Sequence, residues 1–450
     1  MKQIIHCGLI ALLAFLSACD RLERVYPDIE EETGEFFVFE DGSVRVPTDN
    51  GYSAVNNLKL AVDQYADAAL TATESGQEVQ SCNVFLLPRG SRYYVEGKWV
   101  IKKDVVIRAE AGEGDLPTIQ VMADETGSVN ADMIRIEGNV VFDGIYFFGQ
   151  DAITGSHQQR MFRIDGADCR LTLENCFADY CRNFFIRLDA RNTKVYLRNS
   201  TFRNMKYSAT SNGRLIDTRG NGADTVSIVN CLVYNILGHI TRHDGSVINH
   251  LEWKNNTFYN CGTTIGIEHP RKVVIQDNIF ADIGWRQGAT SARIDPVTGA
   301  TVFNRILWDV QASDAVDLEE ADVIIRNNNV YSTPELAALY EKYAETAAER
   351  TELSSGGRQL LEAGKLRFTD NFSEVLDFDY PAPVSYGFID LFFSAPDAPD
   401  DTFLDVPFFV DEDGVNGIHP DNLFTFVYPS SSRSATASTT GSRIGAVLPL

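Results

Sequence analysis

Through the middle of the chain, apolar residues fall at alternate places in short runs, and each run closes on an asparagine, aspartate or glycine. The phrase "VYLRNSTFRN" at 195–204 recurs, altered, as "VVFDGIYFFG" at 140–149, "LTLENCFADY" at 171–180 and "VSIVNCLVYN" at 226–235. It returns as "LEWKNNTFYN" at 251–260, "VVIQDNIFAD" at 273–282 and "VIIRNNNVYS" at 323–332. The fifth residues are Gly144, Asn175, Asn199, Asn230, Asn255, Asp277 and Asn327, at steps of 31, 24, 31, 25, 22 and 50. Alternation is strand periodicity. Gly, Asn and Asp tolerate left-handed backbone angles, so each phrase predicts a strand, a corner and a return to the core. The step of 50 fits two coils, or one coil with a long insertion around 285–320.

Short strands at such steps, with polar turns and few helical segments, predict an all-β, right-handed parallel β-helix. No single coil buries its own apolar edge; stacking buries it continuously and sets equivalent side chains in ladders. The asparagines are expected to form such a turn ladder rather than to do chemistry. The segment 54–70 has helical periodicity, with Val55, Leu58, Val62, Tyr65 and Leu70 near one face. An amphipathic helix there would cover the raw strand edge at the solenoid's end. After about 333 the pattern turns helical and polar, then rich in Asp, Phe and Pro. The expected organisation is a leader at 1–18, a tether at 19–50, the β-helix at 51–335 and a C-terminal cap or subdomain at 336–450.

Between the asparagine phrases runs another strand: "FRIDG" at 162–166, "IRLDA" at 186–190, "LIDTRG" at 215–220, "ITRHDG" at 240–245 and "IGIEHP" at 265–270. One apolar residue separates Arg163 from Asp165 and Arg187 from Asp189, so each pair shares a face. An acidic column of Asp165, Asp189, Asp217, Asp244 and Glu268 is expected, with His243 and His269 beside it. Arg191, Arg214, Arg219, Arg242, Arg271 and Lys272 flank the stripe. Such a stripe is what any solvated strand face requires if its charges neutralise one another. It also suits a linear acidic polysaccharide, because guanidinium groups clamp carboxylates bidentately. The carboxylates could hold Ca²⁺ or act as general acid and base. Tyr180, Tyr207, Trp253 and Trp285 are candidates for stacking on sugar faces.

Charge sharpens this reading. The chain has 450 residues, 44% hydrophobic, with a net charge of -24. That balance argues against nucleic acid as a partner. Lys2 and the apolar run from Ile4 to Phe15 read as an export signal too short to span a bilayer, and "LSAC" at 16–19 resembles the lipobox of bacterial lipoproteins. That resemblance implies lipidation at Cys19, a membrane tether and an outer-membrane or cell-surface location. Cys82, Cys169, Cys176, Cys181, Cys231 and Cys261 remain. They lack zinc spacing and are expected as small buried hydrophobes, although export permits disulfides. The acidic clusters at 396–414 lack calcium-loop spacing and read as turns.

The lipobox, the leading helix and the "N-x-x-F" coils together resemble the pectin-lyase-like β-helix superfamily. Within it, the chain looks most like the lipoproteins of Bacteroidetes polysaccharide-utilisation loci. The resemblance covers about 50–335 and implies a surface protein that handles a uronate glycan alongside other glycan-utilisation proteins. In alginate and chondroitin lyases of this fold, an "NNTF" turn precedes a strand ending in Arg-His-Gly, with a Lys base one coil earlier beside Ca²⁺. Here Glu268-His269-Pro270 stands in that frame, Arg242-His243-Asp244 lies one coil earlier, and no Lys falls on the adjacent stripe. Polygalacturonase motifs are incomplete, and "HPRK" at 269–272 is a faint echo of a pectate lyase motif. Three readings stay open. One is a binder of acidic polysaccharide through Arg163, Asp165, Arg187, Asp189, Asp217, Arg219 and Arg271. Another is a lyase or hydrolase using Arg242, His243, Asp244, Glu268 and His269, with Ca²⁺ as a candidate cofactor. The last is a structural surface protein.

Overall fold

The computed structural model describes residues 36–39, 41–47, 54–75, 83–206, 212–263, 265–286, 292–294, 301–303, 305–312, 315–343, 350–395, 407–410 and 422–448. The leader, Cys19, most of the tether, Cys82 and Tyr207 lie outside them.

The chain winds into a parallel β-helix with three faces. A representative coil runs Lys194–Arg198, then Thr201–Met205, then Arg214–Asp217. Each strand pairs in parallel with its equivalent in the next coil, as Val195 with Val226, Phe202 with Val233 and Ile216 with Thr241. The first face is one continuous sheet from Val44–Arg45 to Leu366–Thr369, with the short strand Phe37–Val38 added antiparallel at its start. Parallel pairing therefore continues past residue 335. Between Asp277 and Asn327 there is one coil, not two, because Lys272–Gln276 pairs directly with Asp322–Arg326. The extra residues make an antiparallel hairpin, Ala292–Ile294 with Thr301–Phe303, then the third-face strand Arg305–Gln311 and the helix Ala315–Glu320.

The corner after each first-face strand is where the repeated phrase acts. Gly144, Asn175, Asn199, Asn230, Asn255, Asp277 and Asn327 all have positive φ, between 49° and 69°. Their side chains ladder on the outside: Asn255 Nδ2 donates to Asn230 Oδ1 at 3.0 Å, and Asn230 Nδ2 to Asn199 Oδ1 at 2.8 Å. A second ladder, not expected from the sequence, runs one residue later and inside. Asn256 Nδ2 donates to Asn278 Oδ1, Asn278 Nδ2 to Asn328 Oδ1, and Asn328 Nδ2 to Asn371 Oδ1, at 3.0, 3.0 and 2.9 Å. These inner amides also satisfy backbone groups that the corner turns into the core, such as Trp253 O and Cys231 N. A third, buried row joins Asn204, Asn235 and Asn260 near the ends of the second-face strands.

Inside, aromatic rings stack from coil to coil: Phe142, Phe162, Phe185 and Phe202 meet edge-on or tilted, and Phe258 lies parallel to Phe280 at 4.9 Å. Five cysteines, Cys169, Cys176, Cys181, Cys231 and Cys261, are buried free thiols. The helix Asn57–Ser75 packs Leu58, Ala61 and Val62 into this core. The second face is not solvated on its outer side. The described residues of 372–395, 407–410 and 422–448 lie along it and build a second apolar core, in which Tyr234, Tyr259 and Trp285 meet Phe388, Phe392, Phe408, Phe424 and Phe426. Polar pins hold this cover. Thr439 Oγ1 donates to Asp277 Oδ2 at 2.8 Å, and buried Arg203, paired with Asp179 at 2.7 Å, donates to Asn422 O. No helix among the described residues is long and apolar enough to cross a membrane.

Candidate functional site

With the second face covered, the third is a broad charged sheet left open. It is built from Asp132–Ile136, Gln158–Ile164, the end of Phe177–Leu188, Arg214–Asp217 and Thr241–Arg242. Strand alternation turns Phe162, Ile164, Ile186, Leu188 and Ile216 inward and Arg163 and Arg187 outward. Register stacks Arg135, Arg163, Arg187, Asp217 and Arg242 in one column, coil upon coil.

The carboxylates interlock with that column. Asp132, buried, pairs with Arg135 at 2.8 Å and with Arg160 and Arg163. Arg163 Nε is 2.7 Å from both Asp165 and Asp189, and Arg187 Nε lies 2.9 Å from Asp189. Burial works against ionised Asp132, yet Arg160 and Arg135 hold its carboxyl below the usual range. Burial likewise works against protonated Arg163, and Asp189 and Asp165 outweigh it. Much of the stripe is thus a self-neutralised ladder.

Register corrects the expected acidic column. Asp217 pairs with Arg187 and Arg242, not with Asp189. It is fully buried, enclosed by Arg214 and Arg242. Two residues on, Arg219 falls where Asp189 stands in the coil before and Asp244 in the coil after. In this one coil the order Arg-x-Asp is inverted to Asp-x-Arg. "LIDTRG" conceals the shift, because it matches its neighbours equally well when slid by two places.

His243 does not lie on the stripe. Arg242 faces outward at its strand's end, so its neighbour turns in and is buried. Thr218 and Ser246 hydroxyls donate to the His243 carbonyl, and burial pushes the imidazole down to about 4. A buried neutral ring cannot reach a polymer on the surface. Tyr180, Trp253 and Trp285 are likewise core residues, not stacking platforms.

The remaining candidates gather at the far end of the face. Arg242 pairs with Asp244, and Glu268 Oε2 accepts from Gly245 N at 2.6 Å, bridging two coils. His269, partly exposed and held at φ 48°, places Nδ1 2.9 Å from Asp317 Oδ2. Arg271 clamps the other oxygen of Asp317 at 2.8 Å and reaches Glu320 at 2.7 Å. Asp317 is buried in the helix Ala315–Glu320, so the insertion is latched to this face. A carboxylate on Nδ1 fixes the imidazole tautomer and directs Nε2 to act as acceptor, the arrangement of a general base. Asp317 had no motif to announce it; it lies 48 residues from His269 within a helical insertion. Among the described residues, no group of three or more His, Cys, Asp or Glu side chains is placed to hold a metal ion.

No protein-family model matches the chain. No curated protein matches it either. Among solved structures, one similar chain is an arginine-to-alanine mutant of an alginate lyase of the PL6 family, at 14% identity and a TM-score of 0.46. The match covers 78% of this chain and 41% of that one, so the chain spans less than half the length of that protein. The β-helix rests on this chain's own strand pairing.

Proposed function

We propose that this is an exported, lipid-anchored surface protein that binds an acidic polysaccharide across the coils of its third face. The observation that supports this most directly is the set of outward guanidiniums at Arg135, Arg163, Arg187 and Arg242, aligned in one column at about 4.8 Å per coil, with Asp217 taking the place between Arg187 and Arg242. It lies on an open sheet of a chain whose net charge is -24. Guanidiniums repeated along a sheet suit a linear polyanion, and Arg suits a planar carboxylate. The lipobox at 16–19 carries the anchoring reading.

The Asp317–His269 pair favours a second reading, a polysaccharide lyase. In that reaction His269 Nε2 would take the proton next to a uronate carboxylate. The carbon–oxygen bond to the next sugar would break, a carbon–carbon double bond would form, and the leaving oxygen would take up a proton. Ca²⁺ as an aid to that step is part of the same proposal. A hydrolase using paired carboxylates is its variant.

The test is affinity electrophoresis of the mature protein in polygalacturonate, alginate and chondroitin gels, beside an ultraviolet assay for unsaturated uronate, each with and without Ca²⁺. Binding with a flat absorbance supports the binder. Absorbance that rises and is lost in His269→Ala makes it a lyase. Retardation by none of the three polymers overturns the acidic-glycan reading. For the anchor, Cys19→Ala is expected to release the protein from membranes to the soluble fraction.

A further inference from the structure

The inverted coil changes more than register. In the coils around it, each outward arginine has a carboxylate two residues on, and the pairs cancel. Where the order flips, the acidic member, Asp217, is covered and neutralised by Arg214 and Arg242. The basic member, Arg219, is left outside. It is exposed, and its guanidinium has no carboxylate partner among the described residues; it rests 6.0 Å from the Phe184 ring. The coil before it adds to the same spot. Arg187 stands there, with Nε 2.9 Å from Asp189. Arg191, also exposed, follows on the next turn. Of the carboxylates in register with Arg219, Asp189 is already shared between Arg163 and Arg187, and Asp244 is paired with Arg242.

We propose that Arg219, with Arg187 and Arg191, is the carboxylate-binding subsite of this face. It would take the carboxylate of a single uronate unit, while the neutralised coils on either side lie under the sugar rings. This deepens the acidic-glycan reading and rests on it. A ladder that is neutral along its length offers a polyanion no preferred register. One coil with surplus guanidinium does, and a bidentate fork discriminates an acid from its ester because the ester has lost both the charge and one acceptor oxygen. Phe184 beneath Arg219 and Arg214 holds both guanidiniums against one ring, which limits the side-chain freedom lost on binding.

The experiment compares wild type, Arg219→Gln and Arg170→Gln in calorimetric titrations with oligogalacturonate and with its methyl ester. Arg170 is an exposed arginine on the first face, so its loss changes net charge equally, away from the site. Thermal melts confirm that each variant is folded. The expected result is that wild type prefers the acid, and that Arg219→Gln loses on the order of ten-fold in affinity for it. Arg170→Gln changes little, and the ester binds all three proteins alike. Equal losses in Arg219→Gln and Arg170→Gln overturn the subsite while leaving the acidic-glycan reading standing. Wild type that binds acid and ester equally, or binds neither, overturns both.

Discussion

Arg242 and His243 are adjacent in sequence and face opposite ways, and that single alternation decides what each can do. Arg242 remains on the working face. His243 becomes a core residue with no carboxylate partner among the described residues, so protonating it means placing an uncompensated charge in the interior. An unfolded histidine titrates near about 6.5. In the folded chain His243 is pushed down to about 4, His157 to about 4 and His239 to about 3, in each case chiefly by burial. As pH falls from about 6.5 towards 4, the unfolded chain takes up protons that the folded chain refuses. Stability is therefore full above that window and falls within it, by up to about 1.4 kcal/mol per pH unit for each fully resistant group. Denaturant midpoints measured from pH 7 to 4.5 should decline, and the decline should be shallower in His243→Leu than in wild type. The residue types of the stripe were legible because an alternating Arg-x-Asp pattern has a plain geometric meaning. Its phase in "LIDTRG" was not, since Asp217 and Arg219 fit the pattern in either register and only the pairing of Ile216 with Ile186 decides.

At the scale of strands and corners, two asparagine positions one residue apart do different work. The outer residue is there for its backbone angle, and Gly serves equally at position 144. The inner residue is there for its amide, which closes hydrogen bonds in a place water does not reach. Asn278 alone receives from Asn256 N and Nδ2 and donates to Trp253 O and Asn328 Oδ1. Asn278→Ala is expected to cost about 2–4 kcal/mol by leaving buried groups unsatisfied, whereas Asn255→Gly should cost well under about 1 kcal/mol. Urea unfolding of the two variants side by side measures the difference, and equal losses would refute this division of labour. The outer ladder was readable because left-handed corners favour so few residue types. The inner one was hidden because Cys176 and Cys231 take the same place in other coils, where Ser200 Oγ and Asn256 Oδ1 supply the acceptor from the neighbouring coil.

The molecule as a whole is a solenoid with one face filled in. The apolar residues that cover the second face come in short pieces far apart in sequence: Phe388, Ile389 and Phe392 from the helix Tyr386–Ser394, then Phe408, then the alternating Phe424, Phe426 and Tyr428. Sequence patterning therefore marked a C-terminal unit without showing where it lies. The covering leaves the third face as the surface on which both proposed sites sit. It also means the segment is structural: a chain ending at residue 421 should bind a hydrophobic dye and aggregate, while still showing the far-ultraviolet signature of strands. A truncated chain that stays soluble and dye-negative would count against that role.

The pin from Arg203 to Asn422 spans 219 residues of chain. At about 5–20 residues per second, roughly 10–40 seconds of synthesis separate the two partners. The coils can stack in order as they emerge, each templated by the one before, yet the aromatic strip they carry stays bare until the residues around Asn422 have been made. Growth of this body is sequential, but its completion is not: the covering segment must travel back to the middle. Throughout that interval the half-built protein offers a sticky seam to any chaperone, membrane or sister chain it meets, and a slow or stalled chain pays for the delay in misassembly.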